Sequence, residues 1–254
     1  MFSLEIECPL ESRDFLAADL WELGSVGISE LDDGRLRAFF EDAADRDALL
    51  QRYPGAAWRT EEPQDWVEAA RELLQPMTVG ARFCLVPEWR DDPTPAGRFR
   101  ITVNPGMAFG TGVHETTQLC LEALEDYLKP GMTVLDVGTG SGILSEAAGL
   151  LGAGRVWACD VDPIAIEIAR LRVRASFVGS ADAVSSGIAD LTLANISLEA
   201  AIQLAPELLR SLRPGGILLV SGFEGHEVNL VRAALPPASE IRRKGNWALV
   251  ILRN

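Results

Sequence analysis

The sequence predicts an α/β protein, in which a mostly parallel sheet carries helices and follows a small α+β unit. Three observations predict it. In VLDVGTGSGIL, the apolar residues Val134, Leu135 and Val137 run into a glycine turn and then into helix-forming residues from Ile143 to Leu151; this is how a buried parallel strand passes into a helix. A second apolar run, Val156 to Cys159, stops at the carboxylate Asp160, about 20 residues beyond the turn, as in nucleotide-type half-sites. Residues 1–60 have a different texture, with the element order β-α-β-β-α-β.

The residue types in the turn suit a ligand. Gly138, Gly140 and Gly142 let the backbone bend sharply and approach a bound group more closely than a Cβ would permit. Asp160, at the carboxyl end of the neighbouring strand, can accept hydrogen bonds from both hydroxyls of a ribose. The dinucleotide pattern G-x-G-x-x-G fails, because the third glycine comes one residue early and position 143 is Ile. The spacing G-x-G-x-G after V-L-D resembles instead the class I S-adenosylmethionine methyltransferases, whose ligand has no pyrophosphate to lay on the helix. That resemblance implies a Rossmann-like, mostly parallel seven-stranded sheet and S-adenosyl-L-methionine as cofactor.

At 254 residues the chain holds one large domain or two smaller ones. It is 48% hydrophobic and 24% charged, an ordinary globular balance. Its formal net charge of −14 argues against a protein whose affinity comes from nucleic-acid phosphates. The charge suits a small ligand or a basic partner protein, or serves solubility alone. Cys8, Cys84, Cys120 and Cys159 share no C-x-x-C spacing, and with only His114 and His226 no metal-ligand cluster is expected. The acidic, alternating start MFSLEIECPLESRD is no signal peptide, and no apolar run reaches membrane-spanning length. The expectation is a soluble, reduced, cytoplasmic monomer without metal, nucleic acid or membrane.

In the first 60 residues, Phe2, Leu4, Ile6 and Cys8 alternate with polar residues as a strand with one buried face. Ser12 can cap a helix from Arg13 to Leu23. Ile28 to Leu31 and Leu36 to Phe40 pair across Asp32-Asp33-Gly34. A helix from Asp45 to Tyr53 and a strand from Ala57 to Thr60 complete a ferredoxin-like domain with nothing catalytic in it. Residues 61–76 read as a connector helix capped by Asp65 and stopped by Pro76, and residues 77–254 as the ligand-binding domain. Strands are expected at Phe83 to Val86 and at Phe99 to Val103.

NPGMAFGTGVHETT, Asn104 to Thr117, is a glycine-rich loop in which Thr116 or Thr117 caps a helix from Gln118 to Leu128. The free N–H groups there could hold the carboxylate of the methionyl group, or the loop is an ordinary surface loop with a structural histidine. Pro163 opens a helix continued by Ile164 to Val173, and Phe177-Val178 is a third strand. Asp182 either reaches the adenine amino group or is a solvated loop carboxylate. The strand Asp190 to Ala194 ends at Asn195, whose carbonyl can accept from a substrate amine and aim its lone pair at a methyl group; the alternative is a turn or helix cap. A helix over 198–212, a strand from Ile217 to Ser221 and a hairpin of Glu240 to Arg243 with Trp247 to Leu252 finish the chain. His226 reads as a loop histidine rather than a base.

The loop NPGMAFGTGVHETT closely resembles the signature D-P-G-x-A-F-G-T-G-x-H-x-T-T of the PrmA family, the bacterial methyltransferases of ribosomal protein L11. The likeness continues through DWVEAARELLQPMTVGARFCLVPEW, VLDVGTGSGIL, ACDVDP and DLTLANI to NWALVIL. It implies cofactor contacts at Thr117, Gly138, Asp160 and Asn195; the reading of the residues themselves adds Gly140, Gly142 and Asp182 as cofactor-site candidates. Phe109, Gly110, Thr111 and His114 belong to the loop that closes the site; Asn195, His114 and Phe109 are the residues nearest the chemistry. The implied reaction is methyl transfer to lysine and N-terminal amines of the ribosomal protein, which the front domain recognises. Asn104 stands where the family has Asp, Ile-Ser follows Asn195 in place of Ile-Leu, and the segment from Arg170 to Phe177 is several residues short.

Overall fold

The computed structural model describes residues 1–8, 16, 19–20, 23–31, 34–60, 75–104 and 114–254. The chain divides into two compact units, Met1–Leu73 and Leu74–Asn254. The expected connector, apart from Gln75 and Pro76, lies outside the described residues. So do the Asp32-Asp33 turn, most of the helix expected over 13–23, and Phe109, Gly110 and Thr111.

The first unit holds β1 (Phe2–Glu7), β2 (Gly27–Glu30), β3 (Arg35–Phe40), α1 (Arg46–Arg52) and β4 (Ala57–Thr60). Its sheet order is β2-β3-β1-β4, with every pairing antiparallel, as the ferredoxin-like order requires. Asp45 caps α1 by accepting from the Ala48 N–H at 3.1 Å. Phe2, Leu4, Ile6, Ala38, Phe40 and Leu49 form the core. The opposite face of β1 departs from the alternation, because Ser3 and Glu5 are buried as well. Three cations account for Glu5. Arg35 Nη1 lies at 2.6 Å, Arg37 Nη2 at 2.5 Å and Arg59 Nη2 at 2.8 Å from its carboxylate.

The second unit has two sheets. The smaller joins β5 (Met77–Val79), β6 (Phe83–Pro87) and β7 (Phe99–Val103), antiparallel and then parallel. The larger is made of β8 (Thr133–Val137), β9 (Arg155–Asp160), β10 (Ser176–Val178), β11 (Ala189–Asn195), β12 (Leu212–Glu224), β13 (Glu240–Lys244) and β14 (Trp247–Arg253). Its order, β10-β9-β8-β11-β12-β14-β13, is parallel across the first five strands and antiparallel at β14 and β13. The expected Rossmann-like seven-stranded sheet is therefore present. Helices α2 (Glu115–Tyr127), α3 (Ile143–Leu150), α4 (Pro163–Ala169), α5 (Leu198–Ser211) and α6 (Val228–Ala234) cover it. Leu135, Leu193 and Leu219, on neighbouring strands, are all fully buried.

Two helix bounds differ from the sequence reading by three residues or more, and β12 (Leu212–Glu224) runs well beyond the expected Ile217 to Ser221. Helix α2 begins at Glu115 rather than Gln118, because His114 is the cap and its side chain accepts from the Thr116 N–H. Helix α4 stops at Ala169, not Val173. Turns follow that bury Val173 and send the Arg172 guanidinium to the Thr102 carbonyl at 2.6 Å and into an ion pair with Glu146.

Burial by itself would raise the pKa of Glu5, but the Arg37 hydrogen bond and the charges of Arg59, Arg37 and Arg35 outweigh it and hold the carboxyl below its ordinary value. A depressed native pKa stabilises the fold above the unfolded value, about 4.3, and that contribution is lost as pH falls through the native one. Glu5→Gln is expected to lower the unfolding free energy at neutral pH by about 2 kcal/mol. In denaturant titrations, the gap between wild type and variant should narrow below about pH 4. A gap independent of pH would show that the ion cluster contributes nothing.

Candidate functional site

In open α/β sheets, ligands bind outside the carboxyl ends of the strands, where the order reverses. Here the reversal lies between β8 and β11, and a cavity of about 920 Å³ opens there. Gly138 and Gly140 line it from the turn after β8, Asp160 from the end of β9, Asn195 from the end of β11, and His114 and Thr117 from the start of α2. The structure thus brings together six of the residues singled out in the sequence. Gly142 does not line the cavity; it caps α3 and packs closely on Ala169. Asp182 is exposed in the single turn Ala181–Ala183 and does not line it either, the wall there being Gly179 and Ser180. His226 is exposed, beside Glu224 at 3.1 Å.

Each wall is fixed by named bonds. The Gly138 and Thr139 N–H groups both donate to the Cys159 carbonyl, at 2.9 and 3.0 Å, which folds the turn over β9. Asp160 accepts from Gly140 N–H through Oδ2 at 2.9 Å and from Asp162 N–H through Oδ1 at 3.0 Å. Each oxygen keeps a lone pair for a ligand hydroxyl. Asn195 donates through Nδ2 to Thr117 Oγ1 at 3.5 Å, which leaves Oδ1 as the accepting end of the amide. His114 contacts Trp247 edge to face, with ring centroids 4.5 Å apart and planes at 67°.

Beneath the turn lies Asp136, 1% exposed, which the sequence reading used only as part of the V-L-D strand. Its Oδ2 accepts from Thr139 Oγ1 and Ser145 Oγ, both at 2.7 Å, while Oδ1 is buried without a partner. Burial pushes its pKa up; the Ser145 and Thr139 hydrogen bonds oppose this, and the Asp160 charge adds to it. Burial likewise pushes the Cys159 thiol up to about 12, so it is a core group and no nucleophile.

The sequence reading also missed the contact that sets the cavity floor. Ile196, just beyond Asn195, is wedged between two glycines. A Cβ on Gly138 (φ +70°) would collide with the Ile196 side chain, and one on Gly222 (φ +102°) would collide with its backbone. The Ile196 N–H donates to Ser221 O at 3.0 Å, so the wedge is tied to β12. The glycine two residues beyond the apolar run Ile217 to Val220 was the available signal.

Apolar groups dominate the remaining wall, with Val137, Ile143, Leu144 and Trp247 among them. Among the described residues, no group of three or more His, Cys, Asp or Glu could hold a metal ion. No helix there is long and apolar enough to cross a membrane.

Comparison with known proteins agrees with this geometry. The family described as "Ribosomal protein L11 methyltransferase (PrmA)" matches residues 31–254. A ribosomal protein L11 methyltransferase of Pelobacter propionicus is 35% identical over 300 residues, covering 98% of this chain and 97% of that protein. One of Heliobacterium modesticaldum is 35% identical over 277 residues, covering 98% and 88%. The crystal structure of a ribosomal protein L11 methylase from Lactobacillus delbrueckii subsp. bulgaricus superposes with a TM-score of 0.65 at 32% identity, over 71% of this chain and 99% of that one.

Gly222→Ala must move Ile196, and is expected to cost about 1–3 kcal/mol, the range for forced overpacking. Gly149, inside α3, has nothing within 4 Å of a built Cβ. Gly149→Ala should therefore stabilise, by roughly 0.5–1 kcal/mol. Thermal unfolding of the two variants side by side checks this, and equal melting shifts would rule out the wedge.

Proposed function

Because the chain belongs to the ribosomal protein L11 methyltransferase (PrmA) family, we propose that it moves methyl groups from S-adenosylmethionine to amines of ribosomal protein L11, at lysine side chains and the N-terminus. The observation that carries this reading is the grouping of Asp160, Thr117 and Asn195 around one cavity at the switch point of the sheet. The residues fit the cofactor. The lone pairs left on Asp160 suit two ribose hydroxyls, the Gly138–Gly140 turn admits a close approach, and the N-terminus of α2 at Thr117 offers N–H groups and a dipole to a carboxylate.

Bound S-adenosylmethionine supplies an already activated methyl group. The protein's part is then to orient the acceptor and to let it lose a proton. Asn195, whose Nδ2 donates to Thr117, accepts an amine N–H through Oδ1 and directs the nitrogen lone pair. A lysine in water, with a pKa near 10.4, is protonated. The apolar wall of Val137, Ile143, Leu144 and Trp247 disfavours that charge and lowers the pKa, so that water can take the proton. In this reading the first unit recognises the protein substrate. The formal charge of −14 favours approach of a cationic target.

Mass spectrometry of ribosomal protein L11 after incubation with the enzyme and S-adenosylmethionine tests this. Wild type is expected to add methyls one at a time. Asp160→Ala should weaken cofactor binding at least tenfold, the loss of one or two charged hydrogen bonds. Asn195→Ala should keep binding within a few fold and lower kcat roughly 10²-fold. Cofactor binding without methyl gain would move the activity to another amine, and absence of binding would end the methyltransferase reading.

A further inference from the structure

His114 is the histidine that lines the cavity, and a cavity histidine invites a role as proton acceptor. Its hydrogen bonds say otherwise. His114 Nδ1 accepts from the Thr116 N–H at 3.3 Å and lies 2.8 Å from Thr116 Oγ1. The two contacts are satisfied together only by an unprotonated Nδ1, with the Thr116 hydroxyl as donor. The neutral ring therefore carries its hydrogen on Nε2, and the ring has no lone pair left to take a proton from an acceptor amine. Protonating it would set two donors against each other at the first turn of α2.

That first turn is where the site is held. Thr116 and Thr117 are 4% and 2% exposed and both line the cavity; Thr117 accepts from Asn195. Farther along the helix, Lys244 binds Gln118 and Glu122 at 3.0 and 2.5 Å, so the β13–β14 hairpin that carries Trp247 is fastened to the same element. The flat ring of Trp247 fixes the plane of the imidazole.

We infer that His114 is a positioning residue. Its unprotonated Nδ1 caps α2 and so places Thr117 and, through Thr117, the Asn195 amide; it is not the base of the reaction. This extends the methyl-transfer reading by one step, and the wild-type assay run alongside separates the two, since a failure of that reading leaves wild type without turnover.

Two variants of the full chain decide it. His114→Asn keeps a side-chain oxygen that can accept from the Thr116 N–H, and gives up the ring. His114→Phe keeps a ring for Trp247, and gives up the acceptor. Calorimetry with S-adenosylhomocysteine, together with kcat and KM on ribosomal protein L11, should show His114→Asn within about twofold of wild type. His114→Phe should bind about fivefold more weakly, the equivalent of one lost helix cap, with kcat reduced alongside. A fall in kcat of roughly 10²–10⁴-fold in both variants with unchanged binding would be the mark of a lost acid–base group and would overturn the inference. Wild-type behaviour of His114→Phe, or equal impairment of binding in both, would also overturn it. Thermal unfolding of each confirms that the comparison is between folded proteins.

Discussion

The carboxylate of Asp160 holds two backbone N–H groups at once, Gly140 from the turn after β8 and Asp162 at the head of α4. These two turns are the lips of the cavity, and they come from adjacent parallel strands. Without a bridge, each lip would be a loop with unsatisfied donors. With it, the glycine turn is pinned from both sides, since the Cys159 carbonyl already takes the Gly138 and Thr139 N–H groups. An acid at the end of β9 is therefore structural before it is functional. Its remaining lone pairs face a space whose shape the same residue has set, which is what preorganisation means in atomic terms.

Two buried acids show how the partner decides the behaviour of the group. Glu5 and Asp136 are 2% and 1% exposed. Glu5 faces three guanidinium groups and is held ionised. Asp136 has two hydroxyls and the Ser145 backbone N–H but no cation, and burial raises its pKa despite them. The hydroxyls of Thr139 and Ser145 bind the turn and the first turn of α3 to a single oxygen, Oδ2. A cation there would have to occupy the tight space under the glycines. The arrangement accepts an uncompensated acid as the cost of a rigid floor.

The parallel half of the second unit was legible because strand, glycine turn, helix and acid follow one another within 30 residues, and each announces itself by residue type. The closing hairpin was legible from the turn Gly245-Asn246 between the segment Glu240 to Arg243 and the apolar run Trp247 to Leu252. Tertiary features were not. Strand β5 has three residues and exists because Met77–Val79 pairs with β6. The burial of Glu5 depends on Arg35, Arg37 and Arg59, about 30 or more residues away, so the alternation along β1 marked that face as solvated. The start of α2 was displaced because the usual caps are small oxygen-bearing side chains, whereas here an imidazole nitrogen does the work. The wedge of Ile196 between Gly138 and Gly222 joins residues that follow β8 and β11 to one inside β12, and a lone glycine near the end of an apolar run does not say which side chain fills the space beside it.

The choice of an amide at Asn195 bears on the amine chemistry proposed. A carboxylate at that strand end would attract a lysine ammonium and also favour its protonated form, raising the pKa of the group that must lose a proton. A neutral oxygen accepts a hydrogen bond from the amine with a much smaller preference for the charged state. The Thr117 hydroxyl completes the arrangement, because it takes the Nδ2 end of the amide and leaves the oxygen as the end that accepts. The attraction of a cationic target is left to the long-range field of a chain with net charge −14, which weakens with salt. Attraction and deprotonation ask opposite things of an acid, and placing charge at a distance with an amide at the point of contact satisfies both.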